Sequence, residues 1–285
     1  MKLNITAFGE IVWDCFGDTE TLGGAPLNFA YYCALNGCES AIIGAIGRDG
    51  RGAKAREKIR EIGISDAALA DSDYPTGVVE VSKGADGLPQ YDILKSRAWD
   101  FIEATPAAAE TAKNCDAFCF GTLSQRSRIS RDTLFKLIAL LRRDCLKVFD
   151  VNLRQNYYDA RIVGDSLKSA DIVKLNETEL PEINALIGGE PSENFGDMAN
   201  AVFEKFPVKI IICTLGERGY SIFRRGEPPV NGLPIPVKVA DTVGAGDAFT
   251  AGFVSALLGG ETVESAAVNA AKCAAVACSR RGAIQ

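Results

Sequence analysis

The residues best placed to do chemistry stand at 241–252, reading Asp-Thr-Val-Gly-Ala-Gly-Asp-Ala-Phe-Thr-Ala-Gly. An extended run at 235–240 precedes them. An apolar helical pattern follows at Ala248, Phe249, Ala251, Gly252, Phe253, Ala256 and Leu257, so Gly244, Ala245 and Gly246 form the turn that opens a helix. Residues with little or no side chain leave the first backbone N–H groups of that helix bare. Those groups lack intrahelical partners and carry the positive end of the helix dipole, so they favour an anion. Asp247 follows at once. Amides that stabilise charge on a transferring phosphoryl group, beside a carboxylate that accepts a hydroxyl proton, are the parts of a small-molecule kinase site. For the Gly-Ala-Gly-Asp tetrapeptide alone the simpler account is a tight turn with an acid that satisfies the dipole.

Composition narrows the chemistry. The chain has no histidine, which removes a Ser-His-Asp triad, a His-Glu-x-x-His zinc site and the His-Arg-Asp loop of protein kinases. Proton transfer falls to Asp, Glu, Lys, Tyr or Cys. No Gly-x-x-x-x-Gly-Lys-Ser/Thr occurs, so the turn at Gly244 is left as the phosphate cradle. A net charge of −6 argues against a nucleic-acid partner. The 285 residues can bury roughly 75% of their unfolded surface, enough for one large α/β domain with an appendage or for two domains. Nine cysteines, at 15, 33, 38, 115, 119, 145, 213, 273 and 278, are odd in number and lack Cys-x-x-Cys pairing, as expected of buried thiols in a reduced cytoplasm. The first residues read as a strand rather than a signal peptide, and no run reaches transmembrane length. A soluble, cytoplasmic protein without a membrane partner is expected.

The full heptad Asp241-Thr-Val-Gly-Ala-Gly-Asp247 resembles the C-terminal signature of the ribokinase-like (PfkB) family of carbohydrate kinases. Gly23-Gly24-Ala-Pro-Leu-Asn28-Phe-Ala resembles the N-terminal signature, in the right order and far away. The resemblance implies an α/β, ribokinase-like three-layer fold with a mostly parallel central sheet and a small β-strand lid. It implies phosphorylation of a sugar hydroxyl by ATP with Mg²⁺, Asp247 as catalytic base and the Gly244, Ala245 and Gly246 amides as anion hole. Asp14, Gly23, Gly24 and Asn28 would then hold sugar hydroxyls, although on the residues alone Asn28 reads equally as a cap and Asp14 as a solvated strand end. Gly9-Glu-Ile-Val-Trp-Asp14 and the Gly-Gly-Ala-Pro motif look closest to the fructokinase branch. Ribose, 2-keto-3-deoxygluconate and nucleosides such as adenosine stay open as substrates, as does a non-catalytic regulator.

Further positions follow from the same resemblance. Asn152 and Arg154 resemble the Asp-x-Asn-x-Arg of fructokinases, with Arg154 on sugar or phosphate oxygens, while Gln125 and Arg126 are expected on the sugar side because they follow a strand end. Asn176-Glu-Thr-Glu179 reads as a capping box and, by resemblance, as the Asn-x-x-Glu that organises Mg²⁺ through water. Thr214, Gly216 and Gly219 look like the nucleotide loop, and Asn269 falls beside the adenine. Carbonyls near Asp241, Val243 and Gly282 fall where relatives bind a monovalent cation such as K⁺.

The elements that must position these residues alternate along the chain. Strands are expected at 3–8, continuing through 11–14, and at 40–46, 117–122, 146–151, 172–175, 209–214 and 220–223. Helices are expected at 27–36, 53–62, 130–143, 177–186, 195–206 and 263–278. A hairpin with a turn at 84–87 interrupts the pattern. One kinase domain spanning 1–285 is expected, with a lid formed by about 15–22 and 76–102 that closes over the sugar and serves as a homodimer surface. Gly50-Arg-Gly52-Ala-Lys-Ala55 imitates a dinucleotide fingerprint but lies too far from the preceding strand to be one.

Overall fold

Consecutive apolar residues with opposite destinations define the central sheet. Ala7 and Phe8, Ile42 and Ile43, Cys119 and Phe118, Val148 and Phe149, and Ile172 and Val173 each send one side chain into each of two separate cores. Successive strand side chains point to opposite faces, so these runs belong to a sheet covered by helices on both sides.

The computed structural model describes residues 2–17, 19–83 and 89–284. Its strands are β1 Asn4–Phe8, β2 Val12–Phe16, β3 Thr19–Gly23, β4 Glu39–Gly47, β5 Ile64–Ser65, β6 Leu69–Ser72, β7 Gly77–Lys83, β8 Pro89–Ile93, β9 Ala117–Gly121, β10 Leu146–Asp150, β11 Ile172–Asn176, β12 Ile210–Thr214, β13 Tyr220–Arg224 and β14 Val230–Gly232. Its helices are α1 Ala25–Leu35, α2 Gly50–Glu61, α3 Pro106–Lys113, α4 Arg128–Ile138, α5 Ala160–Ser169, α6 Glu179–Leu186, α7 Phe195–Lys205, α8 Ala245–Leu258 and α9 Val263–Cys278. The large sheet runs β14-β13-β12-β11-β10-β9-β1-β4-β5, with β6 also paired to β4. It is parallel from β12 through to β5, and β13 and β14 add an antiparallel edge. Helices α1, α2, α8 and α9 contribute to one core and α3 to α7 to the other.

A second sheet, β3-β2-β7-β8, stands apart from the first. Here the chain departs from expectation, because 11–14 does not prolong β1. Gly9 donates to the Ile43 carbonyl and Glu10 is unpaired, after which β2 crosses to the smaller sheet and pairs with β3 and β7. An apolar run has the same period in either sheet, so periodicity alone does not reveal this switch. Helices α3 and α5 went unassigned in the sequence reading, and the expected extended run at 235–240 has no regular secondary structure and joins no ladder. The expected turn at 84–87 lies outside the described residues. The false dinucleotide fingerprint is the first turn of α2, where the Asp49 carboxylate caps Gly52 N–H at 2.8 Å and accepts Thr76 Oγ1–H at 2.7 Å.

Arg126 fastens the small sheet to the large one. Its guanidinium donates to both Asp100 oxygens at 2.8 and 2.9 Å and to the Ile93 and Leu94 carbonyls at 3.2 and 2.7 Å. It also lies over the rings of Trp99 and Tyr157, 4.0 and 4.7 Å from their centroids. Both charged side chains are only 7% exposed. Arg126 therefore anchors the exit of β8, with four of its five N–H donors taken by protein acceptors. Gln125 is likewise buried, donating to the Gly121 carbonyl and Ser166 Oγ at 2.8 and 2.9 Å. The sequence placed both on the sugar side because they follow a strand end, but short-range order does not show which way a 3₁₀ turn faces.

Removing one partner of a buried pair leaves the other charge uncompensated, at a cost of about 3–5 kcal/mol. Arg126→Met is expected to lower unfolding stability by that order in a urea titration, and Arg126→Met/Asp100→Leu to recover part of the loss. An unchanged midpoint in Arg126→Met would show that the pair carries no such weight.

Candidate active site

Parallel register brings the site together at the carboxyl ends of the strands, where ligands of such sheets gather. Asp150 in β10 is paired directly with Lys174 in β11, and Asn176 with Thr214 in β12. Lys174 Nζ lies 3.3 Å from Asp150 Oδ1, and the two side chains are 8% and 7% exposed. The same ammonium reaches the first turn of α8: a Cβ added to Gly246 would sit 2.8 Å from Lys174 Nζ. Gly244 begins that helix in the left-handed region at φ 79°, which disfavours any residue with a Cβ. The helix dipole and a buried cation thus converge where an anion would be held, although the Ala245 N–H donates to the Thr242 carbonyl at 3.2 Å.

Asp247 occupies the first turn of α8. Asn28 in α1 donates its Nδ2–H to Asp247 Oδ2 at 2.8 Å, joining residues 219 positions apart. Asn28 is 6% exposed and its Oδ1 has no partner in the protein. Burial pushes the Asp247 carboxyl up to about 6, aided by the nearby Asp150 charge and opposed by Lys174, Asn28 and Arg154. Such a base is ionised at neutral pH yet retains affinity for a proton. Asp14, in β2, is pushed up to about 6 by burial and held down by Arg154. Glu10, at the switch between sheets and 4% exposed, is pushed up to about 7 by burial, with Arg154 lowering it and Asp247 and Asp150 raising it. For Lys174 burial works against the charge, but Asp150, Asp247 and Glu179 more than offset it and raise the ammonium above its usual range.

Lys174, Asp150 and Glu10 were given no role in the sequence reading, although Asp150 and Glu10 stand inside the two quoted fructokinase-like motifs. Their signal was a charged residue inside an apolar strand run, Ile172-Val-Lys-Leu and Val148-Phe-Asp-Val, where lone charges are costly.

Other expected residues take structural partners. Asn176 Oδ1 accepts from Thr178 N–H, Thr178 Oγ1–H and Glu179 N–H, while Glu179 Oε2 accepts from Asn176 N–H at 2.9 Å, completing the capping box. Glu179 Oε1 accepts from Leu153 N–H at 2.8 Å, so both its oxygens hold backbone amides. That clamp positions the loop carrying Asn152, left-handed at φ 39°, and Arg154, which is exposed. Asn269 donates to the Gly252 carbonyl at 3.0 Å and so ties α9 to α8. Thr214 ends β12, and Gly216 and Gly219 flank a 3₁₀ turn beyond it. Gly23 and Gly24 join β3 to α1 beside Asp14 and Glu10. Asp241 accepts from Val243 N–H and Gly282 N–H at 3.1 and 3.0 Å, drawing these two segments together.

The raised Glu10 carboxyl carries a stability prediction. Between its unfolded value near 4.5 and its folded value of about 7 the native state binds the proton more tightly, so stability falls as pH rises through that window. Glu10→Gln is expected to raise the thermal midpoint at pH 8 and to leave it little changed at pH 5. Equal shifts at both values would detach Glu10 from the effect.

Comparison with known proteins bears on this site and its scaffold. The profile of the pfkB family of carbohydrate kinases matches residues 2–285. A ribokinase of Arabidopsis thaliana is 30% identical over 277 residues, covering 94% of this chain and 67% of its own. An ATP-dependent 6-phosphofructokinase of Thermoanaerobacterium thermosaccharolyticum is 28% identical, covering 92% and 84%, and a fructokinase of Salmonella typhimurium is 27% identical, covering 90% and 85%. A sugar kinase of Pyrococcus horikoshii, solved in complex with ATP, superposes with a TM-score of 0.83 at 25% identity, covering 98% of this chain and 93% of that one. With the fold, both signature motifs and the match across the whole described chain in agreement, this protein is a carbohydrate kinase of the pfkB family.

Proposed function

We propose that the enzyme transfers the γ-phosphoryl group of ATP to a hydroxyl of a free sugar, with fructose as first choice. The observation that carries this reading is the Asp247 carboxylate, held by Asn28 at the mouth of α8 while Lys174 lies beside Gly246. Asp247 takes the proton of the attacking hydroxyl, whose oxygen bonds to the γ-phosphorus as the bond to the leaving ADP oxygen breaks. Asn28 occupies Oδ2 and leaves Oδ1 for that proton, and its own orphaned carbonyl oxygen is an acceptor for a neighbouring sugar hydroxyl. Charge on the transferring group falls to the amides of Gly244, Ala245 and Gly246 and to the Lys174 ammonium. Asp14, Gly23 and Gly24 line the sugar side, and Arg154 supplies the cation near Asp14, Glu10 and Asp247.

The small sheet serves as a lid that excludes water during transfer. Mg²⁺ fits as a partner of ATP rather than as a resident ion: among the described residues no three acidic or cysteine side chains cluster as a metal cage. Such a metal takes most of its ligands from phosphate and water, with Asp150 and Glu179 the nearby acids that would organise them, and it neutralises the triphosphate. Thr214, Gly216, Gly219, Asn152 and Asn176 lie on the nucleotide side, and a monovalent cation such as K⁺ near Asp241, Val243 and Gly282 belongs to the same reading.

Asp247→Asn keeps the shape and loses the base, so turnover is expected to fall about 10²- to 10⁴-fold with ATP affinity little changed. In the native enzyme the pH profile of kcat/KM should show an acid limb near the Asp247 value of about 6. Near-normal turnover in Asp247→Asn would remove the base assignment.

Fructose rests on the 9–14 segment and on the fructokinase relative, whereas the phosphofructokinase relative supports a second reading, fructose 6-phosphate. A coupled assay at equal concentrations of fructose, fructose 6-phosphate, ribose, 2-keto-3-deoxygluconate and adenosine is expected to rank fructose first in kcat/KM. Any other order retires the fructokinase reading. Phosphorylation of none of them would favour a non-catalytic regulator.

A further inference from the structure

The far end of the sheet holds a pair of thiols that the kinase reaction does not use. Cys115 precedes β9 and Cys145 precedes β10, two strands paired with Ala117 opposite Leu146. Their sulfurs are 3.6 Å apart although the residues are 30 positions apart in sequence, and each residue is 1% exposed. Neighbouring strands lie about 4.8 Å apart, within the roughly 4.4–6.8 Å between Cα atoms that a disulfide spans. The sulfurs must approach by about 1.5 Å to reach bonding distance.

The surroundings distinguish the two sulfurs. Cys115 Sγ lies 3.1 Å from the Ala112 carbonyl, an acceptor for its S–H, and either sulfur can donate to the other. Once Cys115 loses its proton, the Cys145 S–H, the Thr6 hydroxyl and the Arg142 charge stabilise the thiolate, which holds the Cys115 thiol below its usual range. The same thiolate makes Cys145 harder to ionise and pushes it up. Arg142, whose charge acts on both thiols, is bonded to Asp116 Oδ1 at 2.7 Å and Asp144 Oδ1 at 3.2 Å. The segment 139–144 that leads into Cys145 is turn and bend and largely exposed, so a local opening there offers a route to the thiols.

We propose that Cys115 and Cys145 form an oxidisable dithiol that a small disulfide converts to an intramolecular cross-link, with Cys115 attacking first. The Cys115 thiolate attacks one sulfur of the small disulfide, whose S–S bond breaks and releases one thiolate. Cys145 then loses its proton and attacks the Cys115 sulfur, forming the protein disulfide and expelling the second small thiolate. Two protein thiols are oxidised, one small disulfide is reduced to two thiols, and the two protein protons pass to them. Attack by Cys145 becomes easier at this stage, because the mixed disulfide removes the Cys115 charge that opposed its ionisation.

The test treats the folded full chain with oxidised glutathione, removes the reagent, denatures and alkylates the protein, and maps its peptides. A Cys115–Cys145 peptide is expected, with two fewer alkylated thiols, a mass lower by about 2 Da from two lost hydrogens, and a thermal midpoint that rises on oxidation and returns with reductant. Cys145→Ser should halt at a lasting glutathione adduct on Cys115, and Cys115→Ser should leave Cys145 alkylatable. Should either variant fail to fold, the wild-type map decides alone. The proposal is overturned if both thiols of the folded protein remain alkylatable, if an adduct accumulates on Cys115 without the cross-link, or if Cys115 and Cys145 pair with other cysteines.

Discussion

The arrangement depends on one buried ammonium held among carboxylates. Glu10, Asp14, Asp150, Asp247 and Glu179 approach the junction of the two sheets, and Lys174 with Arg154 supplies the opposing charge. Taking any one of these ions out of water costs several kcal/mol unless a partner offsets it. Lys174 is buried and faces three of the acids at once, so its presence allows Asp150 to be buried and Asp247 to stay ionised near neutrality. A site of this kind is an electrostatic strain held by the surrounding fold. An incoming polyphosphate meets a preorganised cation and a helix N-terminus, while the acids nearby disfavour the same anion unless a metal accompanies it.

The scaffold supplies that arrangement through backbone geometry. Parallel pairing places Asp150 opposite Lys174 without help from loops. Helix α8 is aimed at them because its left-handed Gly244 turns the chain and because α9 packs closely along it. A Cβ at Gly252 would lie 2.7 Å from Cys273 Sγ, and Asn269 bonds the Gly252 carbonyl at 3.0 Å. Small residues along α9 permit this approach. The site is thus carried by rigid elements, and the loop bearing Arg154 is fixed to them by the Glu179 clamp on Leu153 N–H.

Several residues that looked like ligand contacts in the sequence turn out to hold the protein together. Arg126 bonds the buried Asp100 and two carbonyls, the Gln125 amide donates to the Gly121 carbonyl and Ser166, and Asn176 and Glu179 cap one another. A polar residue after a strand points toward a ligand only if nothing nearer satisfies it, and local sequence does not list the competitors. The buried amides of Asn28 and Gln125 each keep an oxygen without a protein partner, and what separates them is that Asn28 bonds the Asp247 carboxylate whereas Gln125 bonds the Gly121 carbonyl and Ser166.

What the sequence by itself determined was local and periodic. The 241–247 heptad and the 23–30 motif carried the family, the alternation of apolar runs carried the parallel α/β sheet, and the absence of histidine left carboxylates to move protons. Tertiary structure decided which residues meet. Only folding brings Asn28 to Asp247 across 219 positions, pairs Lys174 with Asp150, turns β2 away from β1 into the small sheet, and sets Cys115 against Cys145. The physical reason is that side-chain periodicity reports the conformation of one segment, while a pairing depends on the register and direction of another segment far along the chain.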